Sequence, residues 1–175
     1  MPEDRRYAAV IGPGRCDERT AQLSHDVGRG LAAAGFILVT GGEYGAMEAA
    51  SRGASEAGGM VVGLLPGTDR TRANRFSDVT VVTGIGHARN LGVVASADVV
   101  VAVGGEWGTL SEIGFAGVLG RPVVLLAGWR LEHASRMPSE VHYADTAAEA
   151  VALAESAATR AGGISNPDRR PEPGR

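Results

Sequence analysis

No lysine occurs in this 175-residue chain; all 17 of its basic side chains are arginine. Two function classes fall with that absence. A P-loop NTPase of the usual kind needs a phosphate-contacting lysine, and a pyridoxal-phosphate enzyme needs a lysine for its Schiff base. Cysteine is nearly absent too. Cys16 stands alone, so no intrachain disulfide forms and a reducing, cytoplasmic setting is expected. No apolar run approaches the ~20 residues of a transmembrane helix. The chain opens on the charged Glu3, Asp4, Arg5 and Arg6 instead of a signal peptide. Aromatics are only 5% against 44% hydrophobic residues, so Val, Ala, Leu and Ile must build the interior. A net charge of −3 gives no electrostatic footprint for DNA or RNA, and neither nucleic acid nor membrane is an expected partner.

What the chain has is glycine, 26 residues of it, set between apolar runs and helix-like segments that alternate throughout. Strands are predicted at 7–11, 36–40, 60–65, 79–82, 98–103 and 122–127. They are short, rich in Val and Ile, and lack polar alternation, as strands covered on both faces do. Helices are predicted at 20–34, 45–57, 87–96, 109–119 and 146–159. Gly35 and Gly58 are C-terminal stops, and Asp145 is the N-cap of the last helix. A βαβ series of this kind predicts a single α/β domain over 1–161, Rossmann-like: a doubly wound, mainly parallel sheet with helices on both faces. The proline-containing, charged stretch 162–175 reads as a disordered tail.

In a doubly wound sheet, ligands bind outside the carboxyl ends of the strands, and the glycine-rich segments fall at that edge. Gly12-Pro13-Gly14 follows the first strand. Gly41-Gly42-Glu43-Tyr44-Gly45-Ala46-Met47 follows the second, and Gly104-Gly105-Glu106-Trp107-Gly108-Thr109-Leu110 repeats it almost residue for residue after the fifth. A strand, a glycine turn and a helix start leave backbone N–H groups free at a positive helix end, where an anion can sit. The twin turns suggest one phosphorylated small molecule held between them; the plainer alternative is that the glycines only permit tight packing. Ordinary dinucleotide binding is disfavoured. The first turn lacks the third fingerprint glycine, and Thr40-Gly41-Gly42 stands where an acidic residue would hold a ribose.

Two charged residues point into the same edge. Arg89, at a helix start, has the geometry to fork onto a phosphate, or is a solvated helix charge. Glu112 lies early in the helix after the second turn, either facing the crevice or closing a capping box with Thr109.

Taken together these segments resemble a known family. Gly104-Gly105-Glu106-Trp107-Gly108-Thr109-Leu110-Ser111-Glu112 resembles the PGGxGTxxE signature of the LOG family, nucleoside 5′-monophosphate phosphoribohydrolases that activate cytokinins. The upstream turn resembles its GGxxGxM element, and Arg89 matches the family's arginine. The nearer likeness is to a compact branch of this Rossmann-like superfamily that includes molybdenum-cofactor carrier proteins. It is carried by the Gly53 to Gly59 stretch, Leu65-Pro66-Gly67, Ala88-Arg89-Asn90 and the Gly108 to Ile113 stretch. The resemblance covers roughly 7–130. It implies a phosphate on the twin turns, with Gly12, Gly14, Gly41, Gly42, Gly45, Met47, Asn90, Gly104, Gly105, Glu106, Trp107, Gly108 and Thr109 around the ligand. Arg89 and Glu112 would act at the ribose to cleave the N-glycosidic bond, giving base and ribose 5-phosphate. The alternative it implies is a non-catalytic carrier or sensor of a phosphorylated pterin or nucleotide. A homo-oligomer is implied as well. Lysine decarboxylase, a label often attached to such sequences, does not fit a chain without lysine.

Departures from the hydrolase pattern bear on that choice. Gly104 replaces Pro, Asn90 replaces Lys, and Glu106 replaces Gly, so a carboxylate stands within a phosphate cradle; Glu43 repeats the pattern in the other turn. No cofactor is required. Mg²⁺ bridging to a phosphate is conceivable, but the sequence offers no ligand set. His25, His87, His133 and His142 lack metal-ligand spacing, and only His87 lies near the crevice. Tyr44 and Trp107 either stack on a base or cover the crevice, Trp129 packs, and Cys16 is read as a small buried residue.

Overall fold

A computed structural model describes residues 5–132 and 140–163. His133 and most of the predicted tail, 164–175, lie outside the described residues. Seven strands form one sheet: β1 (Arg6–Ile11), β2 (Phe36–Thr40), β3 (Val61–Leu65), β4 (Val79–Val82), β5 (Val99–Val103), β6 (Val123–Leu126) and β7 (Val141–Ala144). Their order is β4-β3-β2-β1-β5-β6-β7, and every neighbouring pair is parallel. The sheet is thus wholly parallel. Strand order reverses between β1 and β5, which are paired through Ala8 with Val99 to Ile11 with Ala102.

Among the described residues five α-helices cover the two faces: α1 (Glu18–Ala33), α2 (Ala46–Glu56), α3 (Arg89–Ala95), α4 (Trp107–Val118) and α5 (Ala147–Gly163). One apolar cluster joins Val27 and Leu31 of α1, Ala50 and Ala54 of α2 and Ala150 and Ala154 of α5 to one side of the strands. The other joins Val93 and Val94 of α3 and Ile113 and Ala116 of α4 to the opposite side. Two-sided cover explains the continuous apolar runs, since all five residues of β5 are buried. Each fully buried Val or Leu contributes about 1.5–3 kcal/mol.

The edges and caps depart from expectation in detail. β7 was not predicted: four residues with a histidine and only Ala144 buried carry little strand signal. The last helix is capped by Thr146, whose Oγ1 accepts the Glu149 N–H at 3.2 Å, whereas Asp145 lies one residue outside and donates its N–H to the Glu149 carboxylate. That helix runs to Gly163, beyond the predicted end. The predicted 87–96 helix begins as a 3-10 turn (Gly86–Ala88), and the α-helix proper starts at Arg89. Gly58 does end α2, with φ +75° and the Gly59 N–H returning to the Ala54 carbonyl at 2.9 Å.

Candidate functional site

At the C-terminal side of β1 and β5, the switch in strand order, lies a hollow of about 280 Å³. Gly12, Pro13 and Gly14 line it from the turn after β1, and Glu43 and Met47 from the first of the twin turns. His87 comes from the 3-10 turn, Arg89 and Asn90 from the start of α3, Glu106 from the N-cap of α4, and Gly108, Thr109 and Glu112 from α4 itself. The twin turns therefore do converge on one cavity.

They converge unequally. In the first turn both Gly42 (φ +74°) and Gly45 (φ +67°) are left-handed, and Gly45 is the N-cap of α2. The first N–H of α2, that of Ala46, already donates to Pro13 O at 3.0 Å. In the second turn only Gly104 has positive φ, and the helix starts two residues earlier relative to the motif, with Glu106 as N-cap. The N–H groups of Trp107, Gly108 and Thr109 then have no partner within the helix, since the first such bond is Leu110 N–H to Glu106 O at 2.9 Å. No side chain caps this end. Thr109, 2% exposed, holds a buried hydroxyl without a partner, and nothing would meet a Cβ on Gly108 within 4 Å. The N-terminus of α4 is thus the candidate anion seat, with free N–H groups facing the hollow, and the first of the twin turns forms its wall.

That wall is built around Arg89, which is 7% exposed. Its Nη1 donates to Asn90 Oδ1 at 2.6 Å, its Nη2 pairs with Glu43 Oε2 at 3.3 Å, and Nη1 lies 3.7 Å from Glu112 Oε1. Its buried Nε has no partner. Gly41 lies under the guanidinium, where a Cβ would approach Arg89 Nη2 and Met47 Sδ to 2.6 Å. Arg89 is therefore a buried, paired cation, not a solvated helix charge. Glu112 is the sixth residue of α4, too far along to form the capping box its spacing allowed. It is 6% exposed, and at 3.7 Å its contact with Arg89 is too long for a hydrogen bond. Burial pushes its carboxyl up to about 7, and the Arg89 charge only partly offsets this.

Gly41, Gly42, Gly45, Gly104 and Gly105 shape the turns without lining the hollow. Gly105 is covered by the Trp129 indole, which lies 5.7 Å from the Trp107 ring. Trp107 is 79% exposed and stands at the rim; Tyr44 also points outward. Thr40, fully buried, spends its hydroxyl on the Gly42 N–H at 3.1 Å, so it shapes a turn and grips nothing. Cys16 is half-buried, and burial with the neighbouring Asp17 charge raises its thiol, the opposite of activation. Among the described residues no group of three or more His, Cys, Asp or Glu side chains is disposed to hold a metal. No helix there is long and apolar enough to cross a membrane. One residue escaped sequence reasoning: Asn74, 3% exposed, which donates its N–H to Gly42 O at 2.8 Å and its Nδ2 to Glu43 O at 3.0 Å. It lies in a segment without periodicity, so no pattern announced it.

The family model of SLOG cluster4 matches residues 5–159. The chain belongs to the SLOG cluster4 family. Among solved structures, this SLOG chain is similar to the molybdenum cofactor carrier protein of Chlamydomonas reinhardtii. Identity is 34% and TM-score 0.83, over 89% of this chain and 99% of that one. It is similar as well to the molybdenum cofactor binding protein of Rippkaea orientalis, with 34% identity and TM-score 0.82 over 88% and 98% of the two chains. A more distant relative is the cytokinin riboside 5′-monophosphate phosphoribohydrolase of Mycobacterium tuberculosis. It is 30% identical over 117 residues, which is 62% of this chain and 63% of that protein.

Proposed function

We propose that this SLOG protein binds a small molecule by its phosphate and holds it as a carrier of a phosphorylated pterin does. One observation carries the reading: the uncapped N-terminus of α4 opens into the hollow with the unpartnered Thr109 hydroxyl beside it. Three free N–H groups and a hydroxyl suit a phosphate, and the positive helix end favours its charge. Similarity over nearly the whole length to proteins named for the molybdenum cofactor supports the carrier assignment. So does the carboxylate of Glu106, which stands where the hydrolase pattern has glycine, with Glu43 setting a second carboxylate in the other turn. No resident cofactor or metal enters this reading.

A second reading, hydrolysis of a nucleoside 5′-monophosphate, is favoured by Arg89 and Glu112 lying 3.7 Å apart in the same hollow. Ionised, Glu112 would stabilise positive charge developing on the ribose; protonated, it would supply the leaving base with a proton. Water would complete the reaction to ribose 5-phosphate and free base. Under either reading the protein works in the cytoplasm as a homo-oligomer, paired through helices beside the crevice, where Leu91 and Val118 are exposed.

Calorimetric titration with ribose 5-phosphate and a nucleoside monophosphate panel tests the binding claim. Wild type binds, and Thr109→Val binds about tenfold more weakly, the worth of one charge-assisted hydrogen bond. Lack of binding by wild type would sink the proposal. Free base appearing with wild type, and not with Glu112→Gln, would replace the carrier by the hydrolase.

A further inference from the structure

The crevice does not end at Arg89. Glu43 also lines a second hollow, of about 380 Å³, beyond the C-terminal end of β3. Its floor is the buried Leu65, and its walls are Pro66, Gly67, Asp69 and Arg72. From β5, which feeds the anion seat, to β3 is three strand steps, roughly 14 Å at the usual inter-strand spacing. A phosphate on α4 would therefore leave the far end of an extended ligand facing this hollow.

The frame around it is fixed. Asn74 ties down the Gly42–Glu43 peptide by its bonds of 2.8 and 3.0 Å, and its own Oδ1 accepts the Phe76 N–H at 3.1 Å. The Glu43 side chain borders both hollows, with its carboxylate on Arg89 Nη2 at 3.3 Å. Asp69 commits one oxygen, Oδ1, to Thr71 N and Oγ1 at 2.9 and 2.7 Å, which leaves Oδ2 for a ligand. Those bonds hold its carboxyl below the ordinary range, so it stays an acceptor. Arg72, exposed beside it, only donates.

Acceptors next to a donor select an edge of matching pattern. Adjacent N–H donors followed by a carbonyl form the 2-amino-4-oxopyrimidine edge common to pterins and guanine. Adenine presents a single amino donor beside a ring lone pair, which a carboxylate would repel. The geometry points to a second subsite: the hollow at the end of β3 takes the 2-amino-4-oxopyrimidine edge of a ligand whose phosphate sits on α4. This rests on the phosphate reading above.

The test is calorimetric titration of the full chain with ribose 5-phosphate, AMP, GMP and neopterin monophosphate. GMP and the pterin bind about tenfold or more tighter than AMP, and ribose 5-phosphate binds weakest. Arg72→Ala, and Asp69→Asn (which keeps an oxygen for Thr71), bring GMP and AMP within about twofold and leave ribose 5-phosphate unchanged. The stronger of GMP and the pterin phosphate identifies which heterocycle the subsite serves. If ribose 5-phosphate binds while GMP and AMP are equal in wild type, the subsite is wrong and the phosphate seat stands. If the GMP preference survives both substitutions, it arises elsewhere and the subsite is again wrong. If none of the four binds at millimolar concentration, the phosphate seat and the subsite fall together.

Discussion

Replacing Glu112 by glutamine should stabilise the protein at pH 8 and change little at pH 5. The carboxyl is 6% exposed and burial lifts it from an ordinary 4.5 to about 7. Between those two values the folded chain keeps a proton that the unfolded chain has released. Stability therefore falls as pH rises across that window and levels off above it. At 1.36 kcal/mol per pH unit, the cost is below about 1 kcal/mol at pH 5 and about 3 kcal/mol at pH 8. Glutamine keeps the shape without the charge, and Arg89 retains Glu43 at 3.3 Å and Asn90 at 2.6 Å, so no buried cation is stranded. The mutant should gain about 2–3 kcal/mol on wild type between pH 5 and pH 8, equivalent to about 5–10 °C in Tm for a chain of this size. Urea unfolding of both proteins across that range measures it. Parallel pH profiles would refute the claim that this carboxyl is desolvated with too little compensation from Arg89.

Two glycines give complementary outcomes. Gly108→Ala adds a methyl where nothing lies within 4 Å, inside a helix, so stability should hold or rise by up to about 1 kcal/mol. The same methyl enters the anion seat, and phosphate affinity should drop about tenfold or more, read by titration against thermal melts. Gly45→Ala acts the other way: φ is +67° and the new Cβ would lie 2.5 Å from Pro13 O, so a loss of about 1–3 kcal/mol or more is expected on chemical denaturation.

The inner strands were legible because two-sided burial writes itself as unbroken apolar runs, as in β2 and β5, while the edge strand β4 was found from its β-branched Val-Thr-Val-Val alone. β7 was not, since an edge strand of four residues with one buried side chain leaves almost no pattern. Arg89 and Glu112 could be suspected from their places early in helices, yet their burial, their mutual distance and the pairing of Arg89 with Glu43 come from tertiary packing. The likeness of the twin turns misled in one respect. Equal residues implied equal roles, but Pro13 takes the leading N–H of α2, and no local signal says which carbonyl will arrive from another turn. Asn74 was illegible for the same reason, because its partners lie some thirty residues away in the chain.

Trp107 and Trp129, the chain's two tryptophans, are ring neighbours, one projecting into solvent beside the start of α4 and the other shielding Gly105. Tryptophan emission thus originates from the start of α4 and the Gly105 turn, next to residues that line the candidate cavity. Occupancy can be followed by that glow with unlabelled protein, and rapid mixing would time ligand arrival and departure directly.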